Sequence, residues 1–215
     1  MGYPLPLTAP ELGRWLYGAL KESGWKNALV RVSLHWDGEG GGTIAAIVRN
    51  FVPYAAELYR KGVRLKTAVS KRWSPRAQDP QIKASQFVSG VAAYLDKGDG
   101  EPYEFVFLSQ EGFVAEGTVS NIFIIKEKRL LTPHARSGIL RGVTRSAVVE
   151  LAEKRRLAPL ETLLTRHELY NAEECFITNT SSEILPVVSI DGCRIGEGVP
   201  GPMTKMLAKD LKKLT

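Results

Sequence analysis

Lys83 stands in the segment 80–87, Pro-Gln-Ile-Lys-Ala-Ser-Gln-Phe, and about thirty residues later comes 116–121, Glu-Gly-Thr-Val-Ser-Asn. Capturing an aldehyde as an imine takes a primary amine, and Lys is the one side chain that supplies it. Partial burial of that amine would lower its pKa and free the neutral form. Farther on, Gly142-Val143-Thr144-Arg145 reads as a helix start, whose open N–H groups and dipole suit a phosphate. Residues 180–183, Thr-Ser-Ser-Glu, read as a turn. In that order these are parts for holding an anionic, aldehyde-bearing cofactor. Taken singly, each has a plainer reading. Lys83 alone would be a solvated helix lysine, Glu116 alone a turn cap, and 180–183 alone a capping box.

Composition sets wide limits around that chemistry. The chain has 215 residues, 44% hydrophobic and 24% charged, as in an ordinary globular protein with room for a core. No apolar run approaches the ~20 residues that span a bilayer, so no membrane is expected. The N-terminus, Met-Gly-Tyr-Pro-Leu-Pro-Leu, carries neither a basic region nor an apolar stretch, so no signal peptide is expected. The net charge of +6 is scattered, with no stripe of basic and aromatic residues, so no nucleic-acid partner is expected. Cys175 and Cys193 read as reduced thiols of a cytoplasmic protein. His35, His134 and His167 are not spaced for a metal, and none is assigned to the chemistry.

The elements that must position the reactive residues follow from periodicity. Thr8 precedes Pro10-Glu11, with Leu12, Leu16 and Leu20 at helical spacing as far as Gly24. Residues 28–36 and 43–48 read as paired strands around a glycine-rich turn at 37–42, and 62–69 as another strand. Pro75, with Pro80 directly after, and little apolar material make 71–79 the candidate linker. Helical spacing over 82–95 places Lys83 at a helix start. Strands are predicted at 103–108, 121–125, 129–132, 174–178 and 185–190, with turns at 111–112, 116–117 and 126–128. Helices are predicted at 142–154 and 201–214. Strands and helices mix without strict alternation, which predicts an α+β (mixed α/β) fold.

The chain resembles the class IV, fold-type IV family of pyridoxal-phosphate enzymes, which includes branched-chain and D-amino-acid aminotransferases and aminodeoxychorismate lyase. The resemblance runs over about 53–214 and rests on four pieces in order: 82–85, 112–123, 131–133 with 138–145, and 178–187. It implies a two-domain fold, with a partial small α/β domain at 1–72, a linker at 73–80 and a large cofactor-binding domain at 81–215. It implies that Lys83 holds pyridoxal 5'-phosphate and shuttles a proton, and that Glu116 faces the pyridine nitrogen. Val143, Thr144 and Thr180 would hold the phosphate, with Ser181 at the turn that meets the phosphate or the substrate carboxylate. The implied activity is transfer of an amino group between a small or branched-chain amino acid and a 2-oxo acid, in a homodimer. The alternatives are a lyase that releases pyruvate from aminodeoxychorismate, and a cofactor-binding remnant.

Three departures from the family pattern stand out. The family's opening segment, with a His-x-x-Arg-Leu helix whose Arg grips the phosphate, has no counterpart here, so the small domain is expected to be incomplete. Gln86 and Phe87 stand where Asn and Tyr are usual, and Arg141 stands where Pro is usual.

Overall fold

The computed structural model describes residues 6–36, 38, 41–85, 87–95 and 101–214. Contacts divide the chain into two units, Met1–Pro53 and Tyr54–Thr215. The division falls earlier than the linker expected at 73–80, and Val63–Thr67, expected with the N-terminal part, is a strand of the second unit's sheet. The expected turn at 37–42 lies partly outside the described residues.

In the first unit, helix α1 (Ala9–Ser23) starts with Pro in its first turn and stops at Gly24, whose φ of 67° suits glycine. The Glu11 carboxylate accepts from the Thr8 amide at 2.8 Å and the Thr8 hydroxyl at 2.6 Å, which fixes the helix entry. Strands β1 (Ala28–Trp36) and β2 (Gly42–Asn50) pair antiparallel from Ala28↔Asn50 to Trp36↔Gly42. No described residue of this unit is buried; Trp15, Leu34 and Ile47 are among the exposed apolar ones. A lone hairpin of this kind is marginal in water.

The second unit is built on one curled sheet. Its strands are β3 (Val63–Thr67), β4 (Glu104–Leu108), β5 (Val114–Gly117), β6 (Asn121–Lys126), β7 (Arg129–Pro133), β8 (Leu160–Thr162), β9 (Glu174–Asn179), β10 (Glu183–Ile190) and β11 (Cys193–Arg194). The order is β5-β4-β3-β10-β9-β6-β7-β8, with β11 paired to β10. Only Thr118, Val119 and Ser120 join β5 to β6, yet four strands lie between those two in the order. A flat sheet would separate them by about 24 Å, at ~4.8 Å per strand. That link spans at most ~14 Å. The sheet must therefore roll up, and the amide of Val114 on edge strand β5 donates to the Leu164 carbonyl, just past the other edge, at 2.7 Å.

Period-two alternation fills both faces of the central strands. Ile122 and Ile124 of β6, Cys175 and Ile177 of β9, and Leu185 and Val187 of β10 share the core inside the roll. Phe123, Ile125 and Phe176 point the other way, against α4 (Val143–Lys154) and α6 (Pro202–Leu211), between which the short α5 (Arg166–Tyr170) falls in the chain. Phe123 and Phe176 sit opposite each other in the register and stack at 5.0 Å. The start of α6 is tied down by the buried Glu174, whose carboxylate accepts from the Met203 amide at 2.9 Å and the Thr204 amide at 2.7 Å. None of the described helices is long and apolar enough to cross a membrane.

Two expectations change. The helix predicted at 82–95 is only α3, Val88–Leu95; residues 81–85 are irregular, so Lys83 lies on a loop. The Gln81 amide donates to Asp79 Oδ1 at 2.9 Å and its side chain bridges the Ile139 carbonyl and the Arg141 amide, so this stretch is held as a loop and apolar spacing alone does not extend the helix back through it. Glu116 lies in strand β5 and not in a turn, because Val106↔Gly117 pairing extends the ladder through it. Sequence reasoning also missed the short elements α2 (Ala56–Lys61) and β8, which lack a long enough period to read.

Candidate active site

One cavity of about 640 Å³ gathers Lys83, Glu116, Val143, Thr144 and Thr180. Ser181 is not among its lining residues, and its amide already donates to Asn179 Oδ1 at 2.9 Å. Lys83 reaches the cavity from the irregular loop and is exposed, where partial burial was expected.

Glu116 is the buried centre of the site, only 6% exposed. One carboxylate oxygen pairs with Arg72 Nη2. The other accepts from the Leu140 amide at 2.9 Å and Asn121 Nδ2 at 3.2 Å. Burial dominates its electrostatics and pushes the carboxyl from 4.5 up to about 7; the charges of Arg72 and Lys83 and the Leu140 amide pull the other way. Lys83 is thus near enough for its charge to act on Glu116. Arg72 also lies over the Phe107 ring at 5.8 Å. Sequence reasoning assigned 71–79 to a linker and gave Arg72 no role. Its partner lies 44 positions away, and no periodicity links the two.

Two glycines are required by close approach. A Cβ on Gly117 would fall 2.2 Å from Ser120 Oγ and 2.3 Å from Glu104 Oε1. That Glu104 oxygen, buried, accepts from Val119 N at 2.8 Å, Ser120 Oγ at 2.9 Å and Thr118 Oγ1 at 3.1 Å. It pins the tight link that forms one wall of the cavity. Gly142, the N-cap of α4, lets the helix start approach Asn121: a Cβ there would lie 2.5 Å from Asn121 Oδ1. Asn121 in turn donates to the Leu140 carbonyl at 2.8 Å, so Glu116, Asn121 and the α4 entry form one hydrogen-bonded unit.

The α4 start carries no side-chain cap, so its first amides are open to an acceptor. Thr178 lines the same cavity, is 1% exposed, and its Oγ1 has no partner. Sequence reasoning missed it because it reads as one more β-branched residue of an apolar strand. A carboxylate, a primary amine and an open helix start facing one cavity can hold an anionic ring-bearing ligand at both ends.

The sequence matches the model of the family described as "Amino-transferase class IV" over residues 1–190. A branched-chain-amino-acid aminotransferase-like protein of Arabidopsis thaliana is 38% identical over 154 residues, covering 72% of this chain and 27% of that protein. The branched-chain-amino-acid aminotransferase of Pseudomonas aeruginosa is 30% identical over 219 residues, covering 97% of this chain and 71% of that protein. The solved branched-chain amino acid aminotransferase of Escherichia coli superposes with a TM-score of 0.90 at 26% identity, covering 99% of this chain and 73% of that one. The chain thus spans about a quarter to three quarters of the length of these proteins. A match running through most of the sequence, on the fold that rolls these residues together, makes this chain a member of the class IV aminotransferase family.

Proposed function

We propose that the chain is a pyridoxal-phosphate-dependent aminotransferase unit that moves an amino group between a small or branched-chain amino acid and a 2-oxo acid. The carrying observation is that Lys83 and Glu116 face one cavity together with the open start of α4. The residues fit the cofactor. The cavity volume, about 640 Å³, lies within the ~300–1,000 Å³ of small-molecule sites. The orphaned hydroxyl of Thr178 and the uncapped α4 amides call for an acceptor. The family membership and the names of the relatives support the substrate class.

When bound, the cofactor supplies an aldehyde carbon that takes an amine and a ring that stores an electron pair. Lys83 holds the aldehyde end and afterwards moves the proton at the substrate Cα. Glu116 holds the proton of the ring nitrogen, with Arg72, Asn121 and the Leu140 amide fixing its carboxylate. Val143 and Thr144, by their amides, and Thr144 and Thr180, by their hydroxyls, bind the phosphate at the helix start. Ser181, outside the cavity lining and with its amide engaged, takes no part in this reading of the phosphate site.

Adding pyridoxal 5'-phosphate to the full chain gives a visible absorption band, and adding leucine or valine bleaches it. In Lys83→Ala the band is absent. No band in the wild-type chain, or an equal band in Lys83→Ala, overturns the reading.

Homodimer formation belongs to the same reading. Its support is the apolar surface of the first unit, including Trp15, Leu34 and Ile47. Light scattering then gives twice the chain mass, and a monodisperse monomer refutes it. The free thiols of Cys175 and Cys193 suit the reducing cytoplasm, which cell fractionation tests.

A further inference from the structure

The charges around the cavity do not balance. Its charged lining residues are Arg72, Lys83, Arg141 and Glu116. Arg72 is committed to Glu116. Lys83 is the amine of the proposed chemistry. Arg141 is left over: it is exposed, and its guanidinium forms no ion pair among the described residues. The nearby Glu161 carboxylate, whose charge it senses, is already bridged to Arg145 at 3.0 Å.

Arg141 is also held in place. The Gln81 side chain accepts from the Arg141 amide at 3.3 Å and donates to the Ile139 carbonyl at 2.8 Å. Gln81 thereby ties the approach to α4 to the loop that carries Lys83, two positions on. Arg141 comes directly before the N-cap Gly142. The uncapped amides of α4 and the buried, unpartnered Oγ1 of Thr178 open on the same cavity. One uncommitted guanidinium, open amide donors and an orphaned hydroxyl match an anionic group. A phosphate monoester carries ≈ −1.5 to −2 charges near pH 7.

We propose that Arg141 is the side-chain cation of the phosphate subsite, adding a guanidinium to the α4 amides and the Thr180 hydroxyl. The assignment rests on the cofactor reading above. Arginine suits the task because its planar fork pairs phosphate oxygens two at a time.

The test is an absorbance titration of the full chain with pyridoxal 5'-phosphate and, separately, with pyridoxal, which lacks the phosphate. Arg141→Gln should raise the dissociation constant for pyridoxal 5'-phosphate by about 10- to 100-fold, the worth of a charge-assisted contact. The constant for pyridoxal should stay within about twofold, and Arg141→Lys should recover part of the loss. An unchanged melting curve by circular dichroism shows that the variant folds. Equal affinity of Arg141→Gln and the wild type for pyridoxal 5'-phosphate overturns the assignment and leaves the Lys83 reading intact. So does an unchanged cofactor constant with a raised half-saturation for the amino acid, which would give Arg141 to the substrate carboxylate. If the wild type develops no band with either aldehyde, the cofactor reading falls and takes this assignment with it.

Discussion

Replacing Arg72 by methionine removes the guanidinium from Glu116 while keeping an apolar stem beside Phe107. Burial holds the Glu116 carboxyl up at about 7 although Arg72 opposes it. The folded chain therefore binds this proton more tightly than the unfolded chain, where the group titrates near 4.5. The stabilisation this confers is fully present below about pH 4.5 and is lost as pH rises to about 7. In Arg72→Met the strongest of the opposing influences is gone, the folded carboxyl titrates higher still, and the loss continues past that point. One pH unit is worth about 1.4 kcal/mol, so between about pH 7 and about pH 8.5 the variant loses up to about 2 kcal/mol more than the wild type. At about pH 5 Glu116 is protonated in both folded proteins. There the variant loses a hydrogen bond and the guanidinium's cation–π contact with Phe107, about 1–2 kcal/mol. Urea unfolding followed by circular dichroism at the two pH values measures the difference. The destabilisation should grow by about 2 kcal/mol towards the higher pH, and the growth should vanish in a Glu116→Gln background. A penalty of equal size at both pH values would refute the claim that Arg72 neutralises this carboxylate.

Gly142→Ala has an allowed backbone, at φ −66° and ψ 146°, so any cost comes from the Cβ that meets Asn121 Oδ1 at 2.5 Å. It should destabilise the chain by about 1–3 kcal/mol in urea melts and weaken cofactor binding. Gly18→Ala, on α1 with open space around it, should instead be neutral or stabilising by up to about 1 kcal/mol. Equal effects at the two positions would discount the contact with Asn121. Glu104→Ala leaves three donors of the β5–β6 link without an acceptor and should cost about 3 kcal/mol or more, whereas Glu104→Gln keeps an oxygen there and should cost about 1 kcal/mol. If the two variants melt alike, the link is not held by that oxygen. A thiol reagent should label one cysteine in the folded chain, the exposed Cys193, and two after denaturation. Burial raises the Cys175 thiol far above its ordinary range, and rapid labelling of both in the folded state would contradict its packing in β9.

The sequence by itself determined much of the local structure. Thr8, Pro10 and Gly24 bound α1, and the alternation along 121–125, 174–178 and 185–190 reads directly as strands with two buried faces. The motif residues Lys83, Glu116, Val143, Thr144 and Thr180 could be picked out as candidates from short local motifs, and they line one cavity. Tertiary structure alone decided how they meet. Nothing local says that β3 slots between β10 and β4, or that a tight link must draw β5 back to β6 and curl the sheet. The partner of Glu116, the orphaned hydroxyl of Thr178 and the loop under Lys83 followed from that closure. Apolar alternation encodes which face of a strand is buried; which strand it pairs with depends on contacts far apart in the chain, and so on the whole fold at once.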